Sequence, residues 1–190
     1  MNTPSHILLI SGSLRSRSTN TALLRTALVV APAHVEAVLY GELGDLPHFN
    51  PDDDVDPVDP AVERLRGAIH TADAVLFSTP EYAGALPGSF KNLLDWTIGD
   101  DHVRSMYEKP VAWIVASVRG ADHAYDSLRT VLGFAHSNII EAACSHIPVT
   151  TATIDDDGLI ADLDVRAKLA AALTTLAASL DASRSPSETH

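Results

Sequence analysis

The chain has one cysteine, Cys144, in 190 residues. That excludes an intrachain disulfide and a cysteine zinc cluster, and it suits a reducing compartment. Basic residues are also scarce: 13 Lys and Arg stand against 25 Asp and Glu, for a net charge of -12. A surface of that sign does not neutralise nucleic-acid phosphates, so no nucleic-acid partner is expected. No apolar run approaches the length that spans a bilayer, and no basic segment followed by a long hydrophobic one opens the chain. A cytoplasmic protein with no membrane partner is expected. The dinucleotide signature G-x-G-x-x-G, the phosphate loop G-x-x-x-x-G-K-[ST], H-x-x-x-H and G-x-S-x-G are all missing, and "PDDDVD" lacks the glycine and distal glutamate of a calcium loop. No metal site and no hydrolytic site is expected. None of this argues against a small anionic ligand, for which local charge decides.

What is present is apolar and alternating. Hydrophobic residues make up 46 % of the chain, enough for one sizeable core. Short apolar runs at Ile7–Ser11, Val35–Tyr40, Ala74–Ser78 and Val111–Ser117 read as buried strands, with a less regular extended segment at Ile139–Val149. Helical periodicity fills the intervals: Ala22–Ala31 ended by Pro32, Ala61–Thr71, a loop passing into a helix over Leu86–Gly99, Tyr125–Ala135 and Val165–Leu180. The acidic, turn-rich stretch Gly41–Pro60 reads as a solvated loop. Connections this long imply parallel strands with helices on both faces. The expectation is one α/β domain over residues 1–182, a doubly wound five-stranded parallel sheet, with 183–190 a polar, disordered tail.

In such a sheet the ligand crevice lies beyond the carboxyl ends of the strands, where strand order reverses. Three loops follow. The first, "SGSLRSRSTN" with the Thr21 that follows it, supplies hydroxyls from Ser13, Ser18, Thr19 and Thr21, an amide from Asn20, the Arg15 fork and a helix N-terminus. Any one of these is a serine cap or a solvated arginine. Together they suit a phosphate. "GSLRSRSTN" resembles the G-S-L-R-x-x-S-x-N segment of the NADPH-dependent FMN reductase family, flavodoxin-like flavoproteins that include quinone, azo-dye and chromate reductases. The resemblance implies that Ser13, Arg15, Ser18, Thr19 and Asn20 hold the FMN phosphate; Arg17 falls on a variable position and receives no role.

The second loop, "TPEYAGALPGSFKNLLDW", is similar to the family's P-E-Y-[NA]-x-x-x-P-G-x-[LF]-K-N-x-[LI]-D-W, which implies that Pro80, Glu81, Tyr82 and Ala83 lie along the isoalloxazine ring. Many relatives carry Asn at the position of Ala83. Glu81 is open between a solvated loop carboxylate, a polar contact beside the ring and subunit pairing, and Trp96 reads as a core or subunit-contact residue. The third loop, "ASVRGADHAYDSLRTVL", resembles the family only in part: Ser117, Gly120, Leu128 and Arg129 match, but the usual glycine pair is Gly120-Ala121. Ser117, Arg119 and Gly120 are expected at the flavin edge. Arg119 stays open between stabilising charge on the reduced ring, capturing the NADPH 2′-phosphate and plain solvation. The implied activity is an FMN-dependent oxidoreductase that takes hydride from NADPH or NADH and reduces a small-molecule acceptor (a quinone, flavin, azo compound or metal oxyanion), as a homodimer or homotetramer. An FMN electron-transfer module docking to a protein partner is the alternative. Because the flavin carries the chemistry, no catalytic side chain is expected.

Overall fold

The computed structural model describes residues 3–98 and 105–184. Five parallel strands lie side by side: β1 (Ser5–Ser11), β2 (Val35–Tyr40), β3 (Ala74–Ser78), β4 (Pro110–Val115) and β5 (Asn138–Ile139), in the spatial order β2-β1-β3-β4-β5. The chain steps outward from β1 to β2 and then crosses back to β3, so order reverses between β1 and β3. There the two strands run in register from Ile7 beside Ala74 to Ser11 beside Ser78.

The apolar strand runs are buried on both faces because each face carries its own core. Leu8, Ile10, Val75, Phe77, Val111 and Trp113 pack on one side with α2 (Pro60–Thr71), α3 (Gly88–Asp95) and α4 (Asp122–Phe134). Ile7, Leu9, Leu76, Ala112 and Ile114 pack on the other with α1 (Thr19–Val30) and α5 (Leu163–Arg184). The period of two along each strand sorts these residues between layers, and each large side chain buried contributes about 1.5–3 kcal/mol. Local signals start the helices. Ser18 accepts from Thr21 N to cap α1, Asp59 accepts from Ala61 N with Pro60 at the first position of α2, and Asp162 accepts from Asp164 N and Val165 N ahead of α5.

Two readings change in detail. The fifth strand position is split: β5 pairs with the start of β4, and a second short strand, β6 (Ser145–His146), pairs with its end. A 3-10 turn at Glu141–Ala143 separates them, so the sheet has six strands in five positions. The Gly41–Pro60 stretch is anchored rather than merely solvated. Asn92 accepts from Phe49 N at 2.7 Å and donates to the Pro47 carbonyl, which also receives Trp96 Nε1 at 2.9 Å. Arg66 holds Asp54 through two 2.8 Å bonds. Helix α5 takes in Ser183 and Arg184, the first residues of the expected tail, while 185–190 lie outside the described residues, as does Gly99 at the expected end of the third helix.

Candidate functional site

All three loops leave the carboxyl ends of β1, β3 and β4 and meet at the reversal. Gly12 departs from β1 with its N–H on the Ser78 carbonyl at 2.9 Å. A Cβ there would sit 2.2 Å from Thr79 Oγ1 and 2.9 Å from Phe90, so only glycine permits this approach of the first loop to the second.

The first loop is arranged as an anion cradle. Among the described residues, the backbone N–H groups of Arg17, Thr19 and Asn20 meet no protein acceptor. They open at the positive end of α1. Arg15 is exposed and its guanidinium has no partner among the described residues. Ser13 Oγ accepts from Arg15 N, and Ser18 Oγ accepts from Thr21 N, which leaves both hydroxyl protons able to donate outward. Asn20 differs from the rest. It is buried, and its Oδ1 lies 2.9 Å from Ser78 Oγ, which is also 2.8 Å from the Ile114 carbonyl. Its Oδ1 therefore ties α1 through Ser78 to β3 and β4, and its backbone N–H lies at the start of α1 beside the cradle. Arg17 lines, together with Ser18 and Thr21, a cleft of about 440 Å³ between α1 and the loop at Asp155–Gly158.

In the second loop, Tyr82 and Ala85 exchange backbone hydrogen bonds of 3.0 and 3.1 Å around Ala83 and Gly84, both at positive φ. This is the backbone of a tight hairpin turn, with Tyr82 exposed at its side. Glu81 reaches across to the third loop, where its Oε2 accepts from Ala124 N at 3.2 Å. Helix α4 has no side-chain cap of its own, so Glu81 supplies one from the second loop. Trp96 is buried against Phe49 and Arg66, a core role, and Lys91 pairs with Asp95 on the helix surface.

The third loop turns tightly at its start. Ser117 Oγ accepts from Arg119 N at 3.2 Å, and the Ser117 carbonyl accepts from Gly120 N at 3.3 Å. Gly120 has φ +99°, and a Cβ there would lie 2.8 Å from Asp122 Oδ1, so a side chain at 120 would distort the turn itself. Arg119 is exposed with no side-chain partner among the described residues. Arg129, which matches the family pattern, is not at the site: it pairs with Glu141 and lies over the Trp113 ring at 4.9 Å.

Tyr125 carried no signal in the sequence. Its buried hydroxyl accepts from Thr79 N at 3.1 Å and lies 2.9 Å from the Ile114 carbonyl and 3.2 Å from the Thr79 carbonyl. It thus joins α4 to the ends of β3 and β4. Burial pushes its ionisation up to about 12, so it stays a neutral hydroxyl. Burial likewise pushes the Cys144 thiol up to about 11, away from thiolate chemistry.

A parallel sheet with this order defines a flavodoxin-like fold, and the unpaired donors of its first loop lie at the crevice where such sheets bind their ligands. The sequence comparison narrows the class: the chain belongs to the NADPH-dependent FMN reductase family, whose pattern matches residues 5–151. An NAD(P)H-dependent FMN reductase (PA1204) of Pseudomonas aeruginosa is 38% identical over 130 residues, covering 67% of this chain and 69% of that one. A quinone reductase of Pseudomonas putida is 31% identical over 161 residues, 82% of this chain and 84% of that one. In structure, the flavoenzyme NAD(P)H:(acceptor) oxidoreductase FerB of Paracoccus denitrificans superposes with TM-score 0.80 at 29% identity, covering 94% of this chain and 98% of that one. The protein is an FMN-dependent NAD(P)H oxidoreductase.

Proposed function

We propose that this protein binds FMN across the three loops and reduces small-molecule acceptors, quinones among them, at the expense of NADPH or NADH. The observation that carries the reading is the unpaired donor set at the start of α1, with Arg15 beside it. The residues present fit the group. Arg15, the hydroxyls of Ser13, Ser18 and Thr19 and the N–H groups of Thr19 and Asn20 hold its phosphate, with no metal needed. Pro80, Glu81, Tyr82 and Ala83 border its ring through backbone on one side, and Ser117, Arg119 and Gly120 border it on the other.

Bound there, FMN supplies the two-electron chemistry, taking hydride from NAD(P)H and passing the reducing equivalents on. The chain positions and stabilises. Arg119 places a cation at the ring's edge, where negative charge favours it. Tyr82, 45% exposed, leaves the site open to one donor and one acceptor in turn. The relatives named above are reductases, and no feature of the loops favours the electron-transfer module.

Two finer statements complete the reading. The protein works as a homodimer or homotetramer, supported by large apolar side chains left in solvent, Phe134 at 83% and Val118 at 61% exposure. It is cytoplasmic, which its lone half-buried cysteine suits. Separately, no helix among the described residues is long and apolar enough to cross a membrane. Absorbance of the purified protein, with and without added FMN, tests the central claim. A flavin spectrum that bleaches on anaerobic addition of NADPH is expected. Failure to retain FMN, or a bound flavin that neither nicotinamide reduces, would overturn it.

A further inference from the structure

The third loop is held from outside by a residue that belongs to none of the three loops. Beyond the Glu141–Ala143 turn, the chain runs parallel to the end of β4: Ser145 lies beside Ile114 and His146 beside Val115. Ile147 N then donates to the Val115 carbonyl at 3.0 Å and Val149 N to the Ala116 carbonyl at 2.9 Å. This pairing carries the ladder to the last residue before the loop. There the His146 side chain continues it, with Nε2 at 2.7 Å from the Ser117 carbonyl, across 29 residues of sequence.

A carbonyl only accepts, so the contact requires the proton on Nε2 and fixes the tautomer. The same Ser117 carbonyl receives Gly120 N, and Ser117 Oγ receives Arg119 N. One imidazole N–H thus fixes the hinge from which Arg119 and Gly120 hang. The far end of the loop is fixed by Glu81 on Ala124 N. Between these clamps Val118 and Arg119 are exposed, and apart from His146 and Ser117 itself no side chain among the described residues hydrogen-bonds the backbone of residues 117–120.

We propose that His146 is a positioning residue for the FMN site: its Nε2–H sets the third loop, and with it Arg119 and Gly120, against the ring. The inference rests on the functional reading above, and its test has a part that does not. Three variants are compared with wild type: His146→Leu, which removes the donor, His146→Gln, whose amide nitrogen reaches the position of Nε2, and His146→Asn, whose amide falls short.

In FMN-free protein, amide hydrogen exchange across residues 118–121 is expected to be about threefold to tenfold faster in the Leu and Asn variants, the worth of one net hydrogen bond, and near wild type in the Gln variant. FMN titration followed by flavin fluorescence should show affinity weakened by about the same factor in the same two variants and restored by Gln. Equal exchange in wild type and His146→Leu would overturn the proposal. So would a Gln variant as loose as the Leu one, since side-chain bulk rather than the donated proton would then be responsible. A loosened loop with unchanged FMN affinity would also overturn it, because the loop would not bear on the ring. Wild-type protein that fails to bind FMN would defeat the functional reading instead, while the exchange comparison still decides whether His146 holds the loop.

Discussion

Ala83 and Ala121 hold left-handed backbone, at φ 52° and 86°, on the two loops that flank the site. A Cβ in that region costs about 1–2 kcal/mol. Glycine removes the clash but frees the unfolded chain, which costs back about 0.4–1 kcal/mol. Relief of the clash outweighs the added freedom. Ala121→Gly, which restores the glycine pair usual in the family, is therefore expected to raise the unfolding free energy by about 0.5–1 kcal/mol in urea titration; a loss of stability would show that the Cβ packs usefully. Ala83 reads in the sequence as a missing asparagine side chain, but its backbone angle supplies a second account, because asparagine tolerates this conformation better than alanine. Arg15 is a residue-scale case of the opposite kind, exposed and unpartnered among the described residues, so its removal should not disturb the fold. Arg15→Ala should keep its circular dichroism and bind FMN about tenfold to a hundredfold more weakly, the worth of one charge-assisted phosphate contact. Unchanged affinity would remove Arg15 from the site.

At the scale of elements, long-range hydrogen bonds fix how strands, helices and loops meet, and these leave no spacing in the sequence. The strands themselves were legible because burial on both faces makes them continuously apolar, as in Ala74–Ser78. The three loops were legible because donors, glycine and proline cluster where a reversed sheet binds ligands. The split at Glu141–Ala143 was not, since an edge position that pairs first with the start and then with the end of one strand has no distinct pattern. Nor were the anchors of the acidic stretch, where Asn92 and Trp96 act across 43 and 49 residues. Tyr125 shows what such a tie is worth. Tyr125→Phe leaves Thr79 N–H buried without its acceptor and should cost about 1–3 kcal/mol in denaturant unfolding, with the fold retained. The Asp54–Arg66 tie gives a pH signature. Arg66 hydrogen bonds hold the Asp54 carboxyl below its ordinary value, so its contribution is complete above the unfolded carboxylate range, about 3.9, and is lost as pH falls through the lower folded value. The stability difference between wild type and Asp54→Asn should thus be constant from neutral pH down to mildly acidic pH and narrow only below about pH 4; narrowing near neutrality would show that another group is responsible.

The whole molecule poses an electrostatic conflict, because a chain of net charge -12 binds two anionic nucleotides. Distance resolves it. In the proposed site, hydrogen bonds and the Arg15 charge would act within a few ångströms of the phosphate, whereas the acidic surface acts through solvent and is screened by salt. At about 0.01 M ionic strength the Debye length is roughly 30 Å, so an approaching nicotinamide nucleotide feels the net negative field before it feels the loops. At about 0.15 M the length falls to roughly 8 Å and the long-range repulsion is largely gone, while the contacts in the cradle keep most of their strength. Association and retention should therefore respond to salt in opposite directions. Stopped-flow measurement of NADPH association should show a rate that rises about two- to fivefold between those two ionic strengths. Over the same range the dissociation constant for FMN should grow, since its phosphate is held by charge. An NADPH association rate that falls with salt would mean that the exposed arginines of the first and third loops dominate the field at the mouth of the site, in which case Arg119→Ala should reverse the trend.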